Sequence, residues 1–113
     1  MSITESFAGV AAADFEALRD WYARLLGRAP DMYPHDREAC WQLTDGGWLY
    51  VVEDRERAGG SLLTLLVDDL DAEVAAIAGR GIEVATTETY PGKARKANFT
   101  DPEGNRVSFG QPS

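Results

Sequence analysis

A chain of 113 residues that is 44% hydrophobic has the size of one domain and enough apolar matter for a real core, which excludes wholesale disorder. Its 19 Asp and Glu against 11 Lys and Arg give a formal charge of −8; that argues against nucleic acid or an anionic membrane surface as a partner, since both need clustered cations, and it leaves a cationic ligand open. Cys40 is the only cysteine, so an intramolecular disulfide is excluded and a reducing, cytoplasmic setting is expected.

In chain order, Met1 to Glu5 carries neither a basic region nor a long apolar stretch, so no secretory signal is expected. Ile3 to Ala12 reads as a first strand, weakened by Gly9 and several alanines. Asp14 suits a helix N-cap, because its carboxylate can accept from the free amides of the first turn. Phe15, Leu18, Tyr22 and Leu25 then recur at intervals of three and four, one apolar stripe on a helix, and Trp21 and Leu26 widen it. Gly27 supplies the left-handed stop. Pro30 and Pro34 break the next segment into a loop or a short edge strand. Arg37 to Thr44 and Trp48 to Glu53 read as strands around Asp45-Gly46-Gly47, and the charged stretch from Glu53 to Gly60 reads as a linker.

Leu62 to Val67 is a near-continuous apolar run, as expected of a strand covered on both faces and far too short to span a bilayer. Asp69 caps a second helix with Leu70, Val74 and Ile77 on its apolar face. Ile82 to Thr87 reads as a strand and Tyr90-Pro91-Gly92 as a loop. Lys96 to Thr100 and Asn105 to Gly110 read as a hairpin across the turn that starts at Asp101. Lys93, Arg95 and Lys96 read as a solvated edge that discourages strand pairing.

The two halves say nearly the same thing. Asp14-Phe15 and Asp69-Leu70 open the helical patterns, and Gly27 and Gly81 close them. Leu43-Thr44-Asp45-Gly46-Gly47 matches Phe99-Thr100-Asp101-Pro102-Glu103-Gly104. A unit repeated once, each copy strand, helix and further strands, predicts two modules within a single domain, about 1–57 and about 61–113. The expected class is α+β, with helices on one side of a mixed sheet and a concave face on the other. Strand alternation sends Val107 and Phe109 under the second helix, and Arg106 and Ser108 to the concave face. Matching the halves puts Trp48 and Tyr50 on the concave face too, with Leu49 and Val51 on the first helix.

Val67-Asp68-Asp69-Leu70-Asp71 before a helix, Gly81-Ile82-Glu83 after it and Asp101-Pro102-Glu103-Gly104-Asn105 in a late hairpin resemble the vicinal oxygen chelate superfamily. Its members include glyoxalase I, bleomycin-resistance proteins and extradiol dioxygenases. Asp14-Phe15 and the run from Trp21 to Gly27 are similar to that superfamily's first helix. The resemblance implies two βαβββ modules forming a cupped sheet, and a homodimer. In the superfamily's enzymes a metal sits on His and Glu side chains of the cup. By register those four positions here are Phe7, Tyr50, Leu62 and Ser108. None is an imidazole or a carboxylate, and their sequence neighbours are no better, so no metal and no other cofactor is expected.

What the sequence offers instead is rings and polar groups. Trp48 and Tyr50 are candidate cavity-lining residues, with Phe7, Trp41, Tyr33 and Tyr90 nearby and Gln42 and Asn98 in comparable places before the two turns. Arg106 is a candidate partner for an anionic ligand group or for Glu103. The candidate ligand-binding set is Phe7, Gln42, Trp48, Tyr50, Leu62, Asn98, Arg106 and Ser108. His35, with Asp31, Asp36, Glu38 and Cys40 close by, is expected to be an exposed loop histidine rather than a metal ligand. No glycine-rich phosphate loop is present, and Cys40 is expected to be a small buried hydrophobe.

Three functions fit. The first is a metal-independent protein that sequesters an aromatic or cationic small molecule, as bleomycin-resistance proteins do. The second is a lyase, isomerase or dioxygenase of the same superfamily with a degenerate or displaced metal site; no catalytic residue is assigned, and His35, Glu53, Tyr50 and Arg106 are the acid-base candidates. The third is an interaction subunit whose cup is filled by its own side chains.

Overall fold

The computed structural model describes residues 1–113. Module 1 runs β1 (Ser6–Ala12), α1 (Phe15–Leu26), β2 (Met32–His35), β3 (Glu38–Thr44) and β4 (Gly47–Glu53). Module 2 repeats the order as β5 (Leu62–Leu66), α2 (Leu70–Gly79), β6 (Thr86–Tyr90), β7 (Ala94–Thr100) and β8 (Arg106–Pro112). Each module carries its own four-stranded mixed sheet, in the order β1-β4-β3-β2 or β5-β8-β7-β6. The first strand of each module is thus an edge strand, parallel to the last, and the remaining pairs are antiparallel.

The helices form where local signals are strongest. Asp14 accepts from the Ala17 amide at 3.2 Å, and Asp69 from the Ala72 amide at 3.1 Å. Gly27 ends α1 at φ 75°, a left-handed conformation that any side chain would strain. The apolar stripe of α1, Phe15, Leu18, Trp21, Tyr22 and Leu25, is buried. It joins the helix-facing side chains of both sheets, among them Leu49, Val51, Val107 and Phe109, in one core cluster.

The modules are also joined by polar contacts of long sequence separation. The Tyr22 hydroxyl donates to Asp101 Oδ2 at 2.9 Å. Both Glu103 carboxylate oxygens accept from the chain entering α1, from Ala13 N at 2.7 Å and Asp14 N at 2.9 Å. Arg80, after α2, donates to the carbonyls of Arg24 and Leu25 near the end of α1.

Four expectations change. The Leu62–Val67 run is not covered on both faces: β5 is an edge strand, with Leu62 83% and Leu66 70% exposed, because only its helix-facing side has neighbours in the chain. The strand expected at Ile82–Thr87 starts at Thr86 and runs through Tyr90; Ile82 is buried, so it leaves α2 for the core rather than for the sheet. Lys96 and Arg95 guard no edge, since β7 is flanked by β6 and β8. Trp41 is fully buried in the helix-side core, with its indole N–H donating to the Arg28 carbonyl, so it lines no cavity.

Candidate functional site

The face of each sheet away from its helix is set by register. On sheet 1, Gly9 is opposite Tyr50, Phe7 opposite Trp48, and Gln42 opposite Trp48 on the other side. These residues share one face, because Leu49 and Val51, their alternates, are buried under α1. The rings interact there: Phe7 stacks on Trp48 with centroids 5.5 Å apart and planes 13° apart, and meets Tyr50 edge-on at 6.4 Å. Phe7 is nevertheless 47% exposed. The Trp48 indole N–H is the one buried side-chain nitrogen or oxygen with no hydrogen-bond partner. Beyond Tyr50 lies a cavity of about 630 Å³, walled by Gly9, Ala11 and Val52 and by Asp54 and Arg57 of the linker. Gln42 is committed to the turn: its Nε2 donates to the Asp45 carbonyl at 3.0 Å.

On sheet 2 the corresponding face is polar. Leu62 pairs with Arg106, Thr64 with Ser108, and Asn98 with both Ser108 and Thr86. Glu88 is the hub. Its Oε1 accepts from Asn98 Nδ2 at 2.8 Å and Arg106 Nη2 at 2.8 Å, and its Oε2 from the Tyr90 hydroxyl at 2.6 Å. Ser108 donates to Asn98 Oδ1 at 2.6 Å, and Asn98 Nδ2 also donates to Thr86 at 3.0 Å. The Tyr90 hydroxyl, then the Asn98 amide, hold the Glu88 carboxyl below its ordinary range, with Arg106 and Lys96 adding to the effect. Arg106 therefore pairs with Glu88 and not with Glu103, which is occupied at the start of α1.

The eight candidate ligand residues thus all reach concave faces, but in two groups. Phe7, Gln42, Trp48 and Tyr50 lie on sheet 1; Leu62, Asn98, Arg106 and Ser108 lie on sheet 2. Within the chain no cavity is lined by members of both groups. Sequence reading missed Gly9 on the first face, and Glu88, Thr86 and Lys96 on the second, where it had Tyr90 as a nearby ring. The alternation Thr86-Thr87-Glu88-Thr89-Tyr90 is the signal that points to two of the missed residues.

The superfamily's metal does not fit these residues. Phe7, Tyr50, Leu62 and Ser108 all occupy concave positions, and none offers an imidazole nitrogen or a carboxylate oxygen. No group of three or more His, Cys, Asp or Glu could hold a metal ion. His35 is exposed at the end of β2 and lies 3.2 Å from Glu38, and Asp31 accepts from Gln42 N. Cys40 is buried, and burial first, then the Glu38 carboxylate, pushes its thiol up to about 11. We expect Ellman's reagent at pH 8 to leave Cys40 of the native protein essentially unreacted over minutes, and to titrate one thiol per chain in urea. Rapid native reaction would contradict that burial.

A family profile described as a glyoxalase-like domain matches residues 8–109. A glyoxalase / bleomycin resistance protein from Catenulispora acidiphila DSM 44928 is 48% identical, with 95% of this chain and 96% of that one covered and a TM-score of 0.91. TnmS3, an antibiotic binding protein from Streptomyces sp. CB03234, is 29% identical over 96% of this chain and 95% of its own, with a TM-score of 0.72. A lactoylglutathione lyase from Agrobacterium tumefaciens shares the fold at 20% identity, covering 93% and 90% with a TM-score of 0.73. No curated protein matches the chain in sequence.

Proposed function

Since the chain belongs to the glyoxalase-like domain family of the vicinal oxygen chelate superfamily, we propose that it binds a planar aromatic small molecule without a metal and sequesters it rather than transforming it. One observation carries this reading. The concave face of sheet 1 presents Phe7, Trp48 and Tyr50 as a connected, partly exposed group of rings where an enzyme of the superfamily would need chelating donors. Flat ring area with few rotatable bonds is what a planar ligand stacks on. A cavity of about 630 Å³ beside Tyr50 is the size of small-ligand sites. The likeness to an antibiotic binding protein supports binding over turnover.

The protein acts as a cytoplasmic homodimer on this reading. Leu66 on the edge strand β5 and Ile3 just ahead of the edge strand β1 are exposed large apolar groups that a second copy would cover. No helix is long and apolar enough to cross a membrane. Purified protein is expected to carry no stoichiometric divalent metal by elemental analysis, to sediment as a dimer, and to shift its tryptophan fluorescence with planar aromatic compounds, less so when Trp48 is replaced by Phe. One nickel, zinc or iron per chain, or turnover of a thiol adduct of a 2-oxoaldehyde, would sink the proposal.

A further inference from the structure

The concave face of sheet 2 carries a local charge opposite to that of the whole protein. A cavity of about 150 Å³ there is lined by Leu62, Leu63, Thr64, Lys96, Arg106 and Ser108, two cations and no carboxylate. Lys96 comes from β7, opposite Gly110 on β8 and Glu88 on β6, lines the cavity together with Arg106 and Ser108, and its side chain makes no salt bridge and no hydrogen bond in the chain. Arg106 spends one nitrogen on Glu88 and keeps its other donors free. Glu88 offsets one of the two cations and leaves the three groups one net positive charge, while its bond to Arg106 braces the guanidinium on the sheet. Thr64 adds a hydroxyl with no partner of its own, while Leu62, 83% exposed, offers an apolar wall.

We propose that this cavity is an oxyanion site, in which Lys96 and Arg106 hold a carboxylate or phosphate monoester of a small molecule whose apolar part lies against Leu62. Two cations that line one cavity from neighbouring strands, in excess over the one adjacent carboxylate, make a receptor for one anionic group. The volume admits such a group and little more. The inference rests on the reading of the concave faces as the ligand surface, and it adds the ligand's polar end. It also separates net charge from local charge: the total of −8 favours a cationic ligand, whereas this wall favours an acid.

Calorimetry with benzoate, phenyl phosphate, acetate, benzamide and benzylamine tests it at low and at moderate salt. Benzoate or phenyl phosphate is expected to bind more tightly than isosteric benzamide, with benzylamine weakest and with affinity falling as salt rises. The tighter of the two acids identifies the anion. Lys96→Gln, which removes no hydrogen bond and no salt bridge of the fold, is expected to weaken that acid about tenfold and leave benzamide unchanged, and Lys96→Arg to restore most of the loss. Benzoate and phenyl phosphate both no tighter than benzamide, or full affinity in Lys96→Gln, would overturn the oxyanion site while leaving the aromatic reading intact. Acetate binding through Lys96 without any benzamide binding would do the reverse.

Discussion

Replacing Asp101 by Ala is expected to cost about 3–5 kcal/mol of folding stability, the largest effect of any single polar substitution proposed for this chain. Asp101 is 4% exposed. Its Oδ1 accepts from Glu103 N at 2.9 Å and Asn105 N at 3.0 Å, and its Oδ2 from Asn105 Nδ2 at 2.8 Å and the Tyr22 hydroxyl at 2.9 Å. Asn105 and Tyr22 are themselves buried, so removing the carboxylate strands donors that water cannot reach. Burial, and next the Asp101 charge, push the Tyr22 hydroxyl far above the ordinary tyrosine range, so it remains a donor in alkaline solution. The damage crosses the modules: Glu103, shaped by the same turn, caps the chain entering α1, and Asn105 Oδ1 accepts from Ser61 N at 2.8 Å. Tyr22→Phe is the control. It removes one donor and leaves Asp101 with three, so about 1–2 kcal/mol is expected. Urea unfolding followed by tryptophan fluorescence measures both, at unchanged m-value if unfolding stays two-state. A loss below about 1 kcal/mol for Asp101→Ala would show that the turn repacks around the gap and that the bonds do not hold the halves together.

The repeat, the helices and their caps were legible because their causes are local. Asp14, Gly27 and Asp69 act on amides or dihedrals within a few residues, and the spacing of Phe15, Leu18, Tyr22 and Leu25 is the helix itself. The concave positions of Trp48, Tyr50, Arg106 and Ser108 were legible because β4 and β8 pair with β1 and β5 in unbroken register, which keeps the alternation of period two intact. Irregularities occur elsewhere, between Gln42 and Thr44 and along β2.

What was not legible depends on partners far along the chain. An apolar run such as Leu62–Val67 does not say how many of its faces find neighbours, and here only one does. The partner of Arg106 sits on β6, an element whose first residues were misplaced because Ile82 tucks into the core without pairing. Trp41 and Trp48 look alike in sequence, yet adjacent strands of fixed register put one under α1 and the other on the open face. The division of the candidate ligand residues between two sheets follows from each sheet closing on its own strands, which no motif spells out.

Gly9 was read from sequence as a weak point in the first strand, and the geometry gives it a purpose from which the second large effect follows. A Cβ at Gly9 would sit 2.4 Å from Tyr50 Cζ and 2.5 Å from its hydroxyl oxygen, nearer than real contacts allow. The phenol ring therefore lies flat across β1 only because residue 9 has no side chain. Gly9→Ala cannot move the backbone cheaply, since Gly9 and Tyr50 are register partners in a parallel ladder, so the ring must swing away. Folding stability should change by less than about 1 kcal/mol: a glycine inside a strand costs roughly 0.5–1 kcal/mol, and its relief offsets the lost edge contact with Phe7. Binding should not survive as well. The displaced ring reshapes the cavity of about 630 Å³ and breaks the aromatic surface, so affinity for planar aromatic compounds that shift the tryptophan fluorescence is expected to fall about tenfold or more. In a Tyr50→Ala background the added methyl meets no ring, and Gly9→Ala should cost no further affinity, the non-additivity expected of two residues in contact. A Gly9→Ala protein that binds as tightly as the parent would mean that Tyr50 is not part of the ligand surface.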